Sequence, residues 1–209
     1  MEQGNMFLVI FTGGGMIGYL IWAISIVAVA LIVKYMLNFR RTTILPELTR
    51  ERVQALFDEK QYREAIEVTE VEPDYLSYVV HAALCEASHG YPAMERAMEE
   101  AAEERTTKML RDIEWLNLIG NVSPMLGLFG TVWGMILTFM KIKEIGGAPD
   151  PGKLAGSIGV ALVTTLLGLA VAIPALAFFS VLRNRIDSLT SEGMVAGQDL
   201  IANFRPGSK

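Results

Sequence analysis

The stretch that most constrains this chain is VALVTTLLGLAVAIPA, residues 160–175, inside a longer segment, 154–182, that carries no charged side chain. At about 1.5 Å per residue in a helix, this segment exceeds the roughly 30 Å hydrocarbon core of a bilayer. It predicts a membrane-spanning helix. A helix touching only lipid would be built from Leu, Ile and Val, whereas this one has adjacent hydroxyls at Thr164 and Thr165, many small residues, and Pro174 in its interior. At helical spacing Ala161, Thr165, Gly168, Ala172 and Ala175 fall on one stripe, a small-residue face that lets another backbone approach closely. Thr164 lies about 100° round from Thr165, so the two cannot both point along that stripe, although both are near Gly168 one turn on. A threonine in such a helix can also donate to the carbonyl one turn earlier and then needs no outside partner.

Composition supports the membrane class. Of 209 residues, 52% are apolar, and they concentrate in three uncharged runs, 5–33, 115–140 and 154–182. The net charge of -5 comes mainly from the stretch between the first two runs, which argues against a nucleic-acid partner. One cysteine, Cys85, excludes an internal disulfide and fits a reducing compartment. The opening MEQGNM has no basic residue and its apolar run is too long for a signal core, so the first run reads as a retained helix.

Basic residues set the orientation. Lys34, Arg40 and Arg41 follow the first run, Arg105, Lys108 and Arg111 precede the second, and Arg183 and Arg185 follow the third. The segment between the second and third runs has Lys141, Lys143 and Lys153, partly balanced by Glu144 and Asp150. The positive-inside rule then puts the N-terminus outside and the C-terminus inside. The expected fold class is an all-α membrane protein with three transmembrane helices and a cytosolic helical domain, the second and third helices being long and reaching into the cytosol. The expected organisation is an outer N-terminus and first crossing (1–41), the cytosolic domain (42–114), the second crossing (115–140), a short outer loop (141–153), the third crossing (154–182) and a cytosolic C-terminal helix and tail (183–209).

The first crossing begins near the helix-breaking Gly13, Gly14 and Gly15, leaving 16–33 as a run near the shortest that spans. Phe7, Phe11, Tyr19 and Trp22 supply aromatic groups for the outer interface. This helix reads as a lipid-facing anchor around a core made by the other two. Residues 47–57, 62–71 and 75–88 then show amphipathic helical spacing, with breaks at 58–60 and at Glu72, Pro73 and Asp74. His81, Cys85 and His89 share a helical face, but His81 and His89 would stand about 12 Å apart along the axis, too far to share one metal ion. The acidic cluster Glu99, Glu100, Glu103 and Glu104 reads as a solvated face. Pro92 suits the first turn of a helix that meets no breaker before Gly120. Continued to Met140, that helix is on the order of 70 Å long.

The second crossing contains NVSPMLGLFGTVWGMILTF, in which Gly127, Thr131, Gly134 and Thr138 share a face and Pro124 removes one backbone bond, kinking the entry. The second and third crossings match in kind, each with a small-residue face, a threonine in it and a proline. Joined by KIKEIGGAPDPGK, they are expected to form an antiparallel hairpin.

These residues carry a resemblance. PMLGLFGTVWGM (124–135, with Gly127, Gly130 and Gly134) and ALVTTLLGLAVAIPA (161–175, with Gly168) resemble the two signature segments of the MotA/TolQ/ExbB proton-channel family, and the three-crossing layout is similar to its ExbB/TolQ branch. The resemblance implies a bacterial inner-membrane subunit with a periplasmic N-terminus, assembled as a homo-oligomeric ring, typically a pentamer. The ring would surround the single helices of an ExbD/TolR-like partner, and ion flow would pass work to a TonB/TolA-like protein or another envelope process. It implies that Thr131 and Thr165 line the pore and that Pro124 and Pro174 are the kinks. Many members carry a glutamate where this chain has Val160, so a scheme that needs that acid is not served here.

None of the three crossings has Asp, Glu, Lys, Arg or His, so the chain alone has no titratable group within the membrane to carry a proton. The family supplies an aspartate on the partner helix, which threonine hydroxyls could solvate because they both donate and accept. Thr164 adds a hydroxyl that could help replace the water shell of sodium, so the transported ion is H+ or Na+, and no bound cofactor is expected. The rival reading is a non-conducting oligomeric membrane scaffold, which explains the glycines equally well but not the threonines on both small faces. An enzyme is disfavoured, because Ser123, Ser157 and Ser180 have no membrane histidine to activate them.

Overall fold

The computed structural model describes residues 15–71, 74–145 and 151–205. Phe7, Phe11, Gly13 and Gly14, the break residues Glu72 and Pro73, and residues 146–150 of the predicted outer loop lie outside the described residues. All described regular structure is helical: α1 (Gly15–Asn38), α2 (Arg41–Ile44), α3 (Glu47–Asp58), α4 (Tyr62–Val71), α5 (Tyr75–Cys85), a 3-10 turn (Ala87–His89), α6 (Tyr91–Ile145), α7 (Pro151–Ile201) and a closing 3-10 turn (Ala202–Phe204). Three of these, α1, α6 and α7, are long and apolar enough to cross a membrane. The protein is an all-α, multi-pass membrane protein.

The chain divides into two compact units. One comprises the residues up to Lys34 with Glu114–Ser180, and the other Tyr35–Ile113 with the residues from Val181 on. In the first, α1 presents Ile17, Ile21, Ile24 and Ala28 on one stripe, where Ile21 and Ala28 are buried with Val171 of α7 and pack with Ile119 and Leu126 of α6. The rest of α1, including Tyr19, Ile26 and Val29, is exposed. The first helix is thus an anchor with one packed edge rather than a purely lipid-facing one.

In the second unit α3, α4 and α5 pack on one another, and Val53, Phe57, Ala65, Leu76, Val79, Met94, Met98, Ile186 and Leu200 are all buried. Asp74 caps α5: one carboxylate oxygen accepts from the Ser77 N–H at 2.8 Å and the other from the Ser77 hydroxyl at 2.9 Å. Gly193 of α7 lies where a Cβ would meet the Tyr75 ring at 2.8 Å, and Gly197 where it would meet Met98 Sδ at 3.1 Å. Arg41 grips Glu192 through two bonds of 2.6 and 3.1 Å.

Three details of the elements differ from expectation. The helix expected over 75–88 ends at Cys85, because Glu86 bonds to the nearer Ala83 carbonyl and tightens the chain into a 3-10 turn before Gly90 at φ +90°. The long helix starts at Tyr91 and continues to Ile145, past Met140. As expected of a long third helix, α7 runs unbroken beyond its uncharged stretch as far as Ile201. The four-residue α2 was invisible to periodicity. His81 turns to Thr69 and Cys85 (3.3 and 3.5 Å) and His89 to Glu86 (2.8 Å), and the described residues hold no group of three that could bind a metal. Glu99, Glu100, Glu103 and Glu104 of α6 are exposed, and Glu104 accepts from the Tyr78 hydroxyl at 3.2 Å.

Candidate functional site

In the first unit α6 and α7 run antiparallel and meet through glycines. A Cβ at Gly120 would lie 2.5 Å from Leu176, at Gly127 2.9 Å from the Thr164 carbonyl and Thr165 Cα, at Gly130 2.6 Å from the Thr164 hydroxyl, and at Gly134 2.9 Å from Ala161. Moving along α6 in one direction therefore moves along α7 in the other. From α7, a Cβ on Gly168 would lie 2.5 Å from the Ser123 carbonyl and 3.2 Å from Gly127 Cα. Here the two backbones touch, an approach only glycine allows. Ala161, Ala172 and Ala175 are buried on the same side of α7.

Beside this contact sit three hydroxyls. Thr165 donates across the hairpin to the Gly127 carbonyl at 3.1 Å. Thr164 bonds to the Ala161 carbonyl of its own helix at 2.7 Å and reaches the same Gly127 carbonyl at 3.2 Å. Thr131 donates to the Leu128 carbonyl at 2.6 Å, and its oxygen stands 3.4 Å from that of Thr165. Helical spacing puts Thr165 on the contact face and Thr164 off it. In the structure Thr164 is the more deeply buried, at 2% exposure, and Thr165 flanks it. With Gly127 and Gly130 opposite, α7 comes so close that positions on either side of its midline reach one carbonyl. Thr138 stays apart from the cluster, donating to the Gly134 carbonyl at 2.8 Å. Pro124 and Pro174 each lie inside an unbroken helix, and each takes away the N–H that would bond the carbonyl four residues earlier.

Counting protons gives the cluster its chemistry. Each hydroxyl has one proton, and the shortest bonds assign them to Leu128, Ala161 and Gly127, respectively from Thr131, Thr164 and Thr165. The Gly127 carbonyl has two lone pairs, and helical bonding gives one to the Thr131 N–H, so it serves one hydroxyl fully. No proton then remains for the Thr131–Thr165 contact. The cluster presents oxygen lone pairs, which suit a proton donor or a hard cation. Facing a carboxylate, one hydroxyl must rotate away from a carbonyl that already has its backbone donor, a change on the order of 1 kcal/mol.

Residues 53–193 match the MotA/TolQ/ExbB proton channel family. The chain belongs to that family. A biopolymer transport protein ExbB homolog of Methanothermobacter thermautotrophicus is 33% identical over 183 residues, covering 86% of this chain and 64% of that protein. The chain thus spans less than two thirds of that relative's length. The biopolymer transport protein ExbB of Xanthomonas campestris pv. campestris is 28% identical over 191 residues, covering 83% of this chain and 75% of its own. An ExbB-like protein of Synechocystis sp. is 42% identical over 88 residues, 41% of this chain and 35% of that one. These relatives support the ExbB branch. The glycine contact of this MotA/TolQ/ExbB member was legible in the small-residue faces of both signature segments, whereas Gly120 and the Gly127 carbonyl had no sequence signal as parts of the site.

Proposed function

We propose that this chain is the ring-forming subunit of an ion-driven energy-transducing motor in the bacterial inner membrane, with its N-terminus periplasmic and its C-terminus cytoplasmic. It works with an ExbD/TolR-like single-span partner and passes work to a TonB/TolA-like protein or a related envelope process. The observation that carries the proposal is a hydroxyl cluster with every proton engaged, in membrane segments that contain no Asp, Glu, Lys, Arg or His. Such a wall can receive a charge carrier but cannot be one, so the carrier is a carboxylic acid on the partner helix. Protonated, it donates to a threonine oxygen. Ionised, it draws a rotated hydroxyl. Thr131 and Thr165 are the pore-lining pair. Thr164 is the most buried of the three and lies behind them, where its role is to crowd and orient Thr165, with protons as the driving ion.

One elementary charge crossing 100 mV supplies about 2.3 kcal/mol. That is sufficient to bias rotation between equivalent positions of a ring and too small to open the glycine contact.

The test is ion uptake into liposomes holding this protein co-purified with its partner, under an imposed proton or sodium gradient. Flux that follows the proton gradient and vanishes when the partner aspartate becomes asparagine supports the proposal. A complex that assembles and conducts neither ion, beside a known channel that does, supports the scaffold reading instead, and flux driven only by sodium gives Thr164 a direct coordinating role.

A further inference from the structure

The first unit holds a groove of about 960 Å³ between the start of α1, α6 and α7. Its α6 wall runs from Phe129 to Lys141, about 18 Å of helix, which is a little over half the roughly 30 Å hydrocarbon thickness. Phe129, Trp133, Leu137 and Val160 make its sides apolar, and the one charge among its described lining residues, Lys141, stands at the end nearest the connection between the two helices. Thr138, Ser157 and Thr164 also line it, and the hydroxyls of Thr138 and Thr164 donate to carbonyls of their own helices, Gly134 and Ala161. The groove is one leaflet deep, greasy along its length and cationic at headgroup level.

The geometry points to a binding site for the acyl chain of an anionic phospholipid, its phosphate held by Lys141 and its chain end reaching the back of Thr164. The site is independent of which ion the protein conducts. It places a lipid tail directly behind the hydroxyl cluster, against Gly130 and Thr164, whose own separation leaves no space for a Cβ.

Trp133 is a native reporter of this groove. In a Trp22→Phe, Trp115→Phe background, reconstituted into equimolar phosphatidylcholine and phosphatidylglycerol, one lipid at a time carries brominated acyl chains that quench tryptophan fluorescence. Brominated phosphatidylglycerol is expected to quench Trp133 with about fivefold relative enrichment over brominated phosphatidylcholine. Lys141→Gln removes that preference, and raising the salt concentration weakens it without any substitution. Equal quenching by the two lipids, or a preference that survives Lys141→Gln, overturns the site. Absence of quenching by either also overturns it, and assigns the groove to a neighbouring protein chain. None of these readouts depends on ion flux, so failure here leaves the motor proposal standing, and the reverse.

Discussion

At Gly168 a hydrogen is the largest group the structure admits, because the atom a Cβ would strike is a backbone carbonyl that cannot swing aside. Gly168→Ala is therefore expected to destabilise the hairpin by about 1–3 kcal/mol. Gly159, nine residues earlier, has nothing within 4 Å of a built Cβ, so Gly159→Ala is expected to be neutral or to raise stability by up to about 1 kcal/mol. Thermal melts of the two variants in one detergent check the contrast, and equal losses would remove the glycine contact from the account. Sequence reasoning could find these glycines because helical spacing gathers them on a face. It could not rank Thr164 against Thr165, since depth in an interface depends on which residues stand opposite, and that register is not contained in the periodicity of either helix.

Among the elements, α5 depends most on a single side chain. Asp74 accepts two bonds from Ser77 while almost wholly buried, so Asp74→Ala is expected to cost about 1–2 kcal/mol, with Asp74→Asn recovering much of it. Denaturant titration of the purified protein measures both. The next residue, Tyr75, is buried, and burial raises its hydroxyl above the ordinary tyrosine value while a hydrogen bond with Thr106 partly opposes the rise. The raised value favours the neutral form in the folded state. Its contribution is complete below about pH 10 and is lost as pH climbs through the raised value. Melting temperature should fall over that alkaline range, and less steeply in Tyr75→Phe. The long helices were readable where no breaker interrupts them, as from Pro92 to Gly120. Short α2 and the end of α5 were not, because the first is too brief to show a period and the second is set by a backbone bond to Ala83. The Gly193 and Gly197 contacts were missed because they lie beyond the apolar run that drew attention to small residues.

For the whole molecule, the absence of charge from 16–33, 115–140 and 154–182 is the property on which the proposed mechanism turns. A chain that offers only hydroxyls to an ion must borrow its titratable group, and its conduction must then require those hydroxyls as polar groups rather than as shapes. Thr165 tests this best, because its hydroxyl reaches across to α6 and touches that of Thr131. The direct measurement is the proton flux of the partner-containing complex in liposomes for the unmodified protein, Thr165→Val and Thr165→Ser. Valine keeps the branched shape and serine keeps the hydroxyl. Valine is expected to lower flux by an order of magnitude or more, an effect of about 1.4 kcal/mol on the barrier, while serine retains most of it. Flux through Thr165→Val equal to that of the unmodified protein, with the complex intact, would contradict the proposed mechanism.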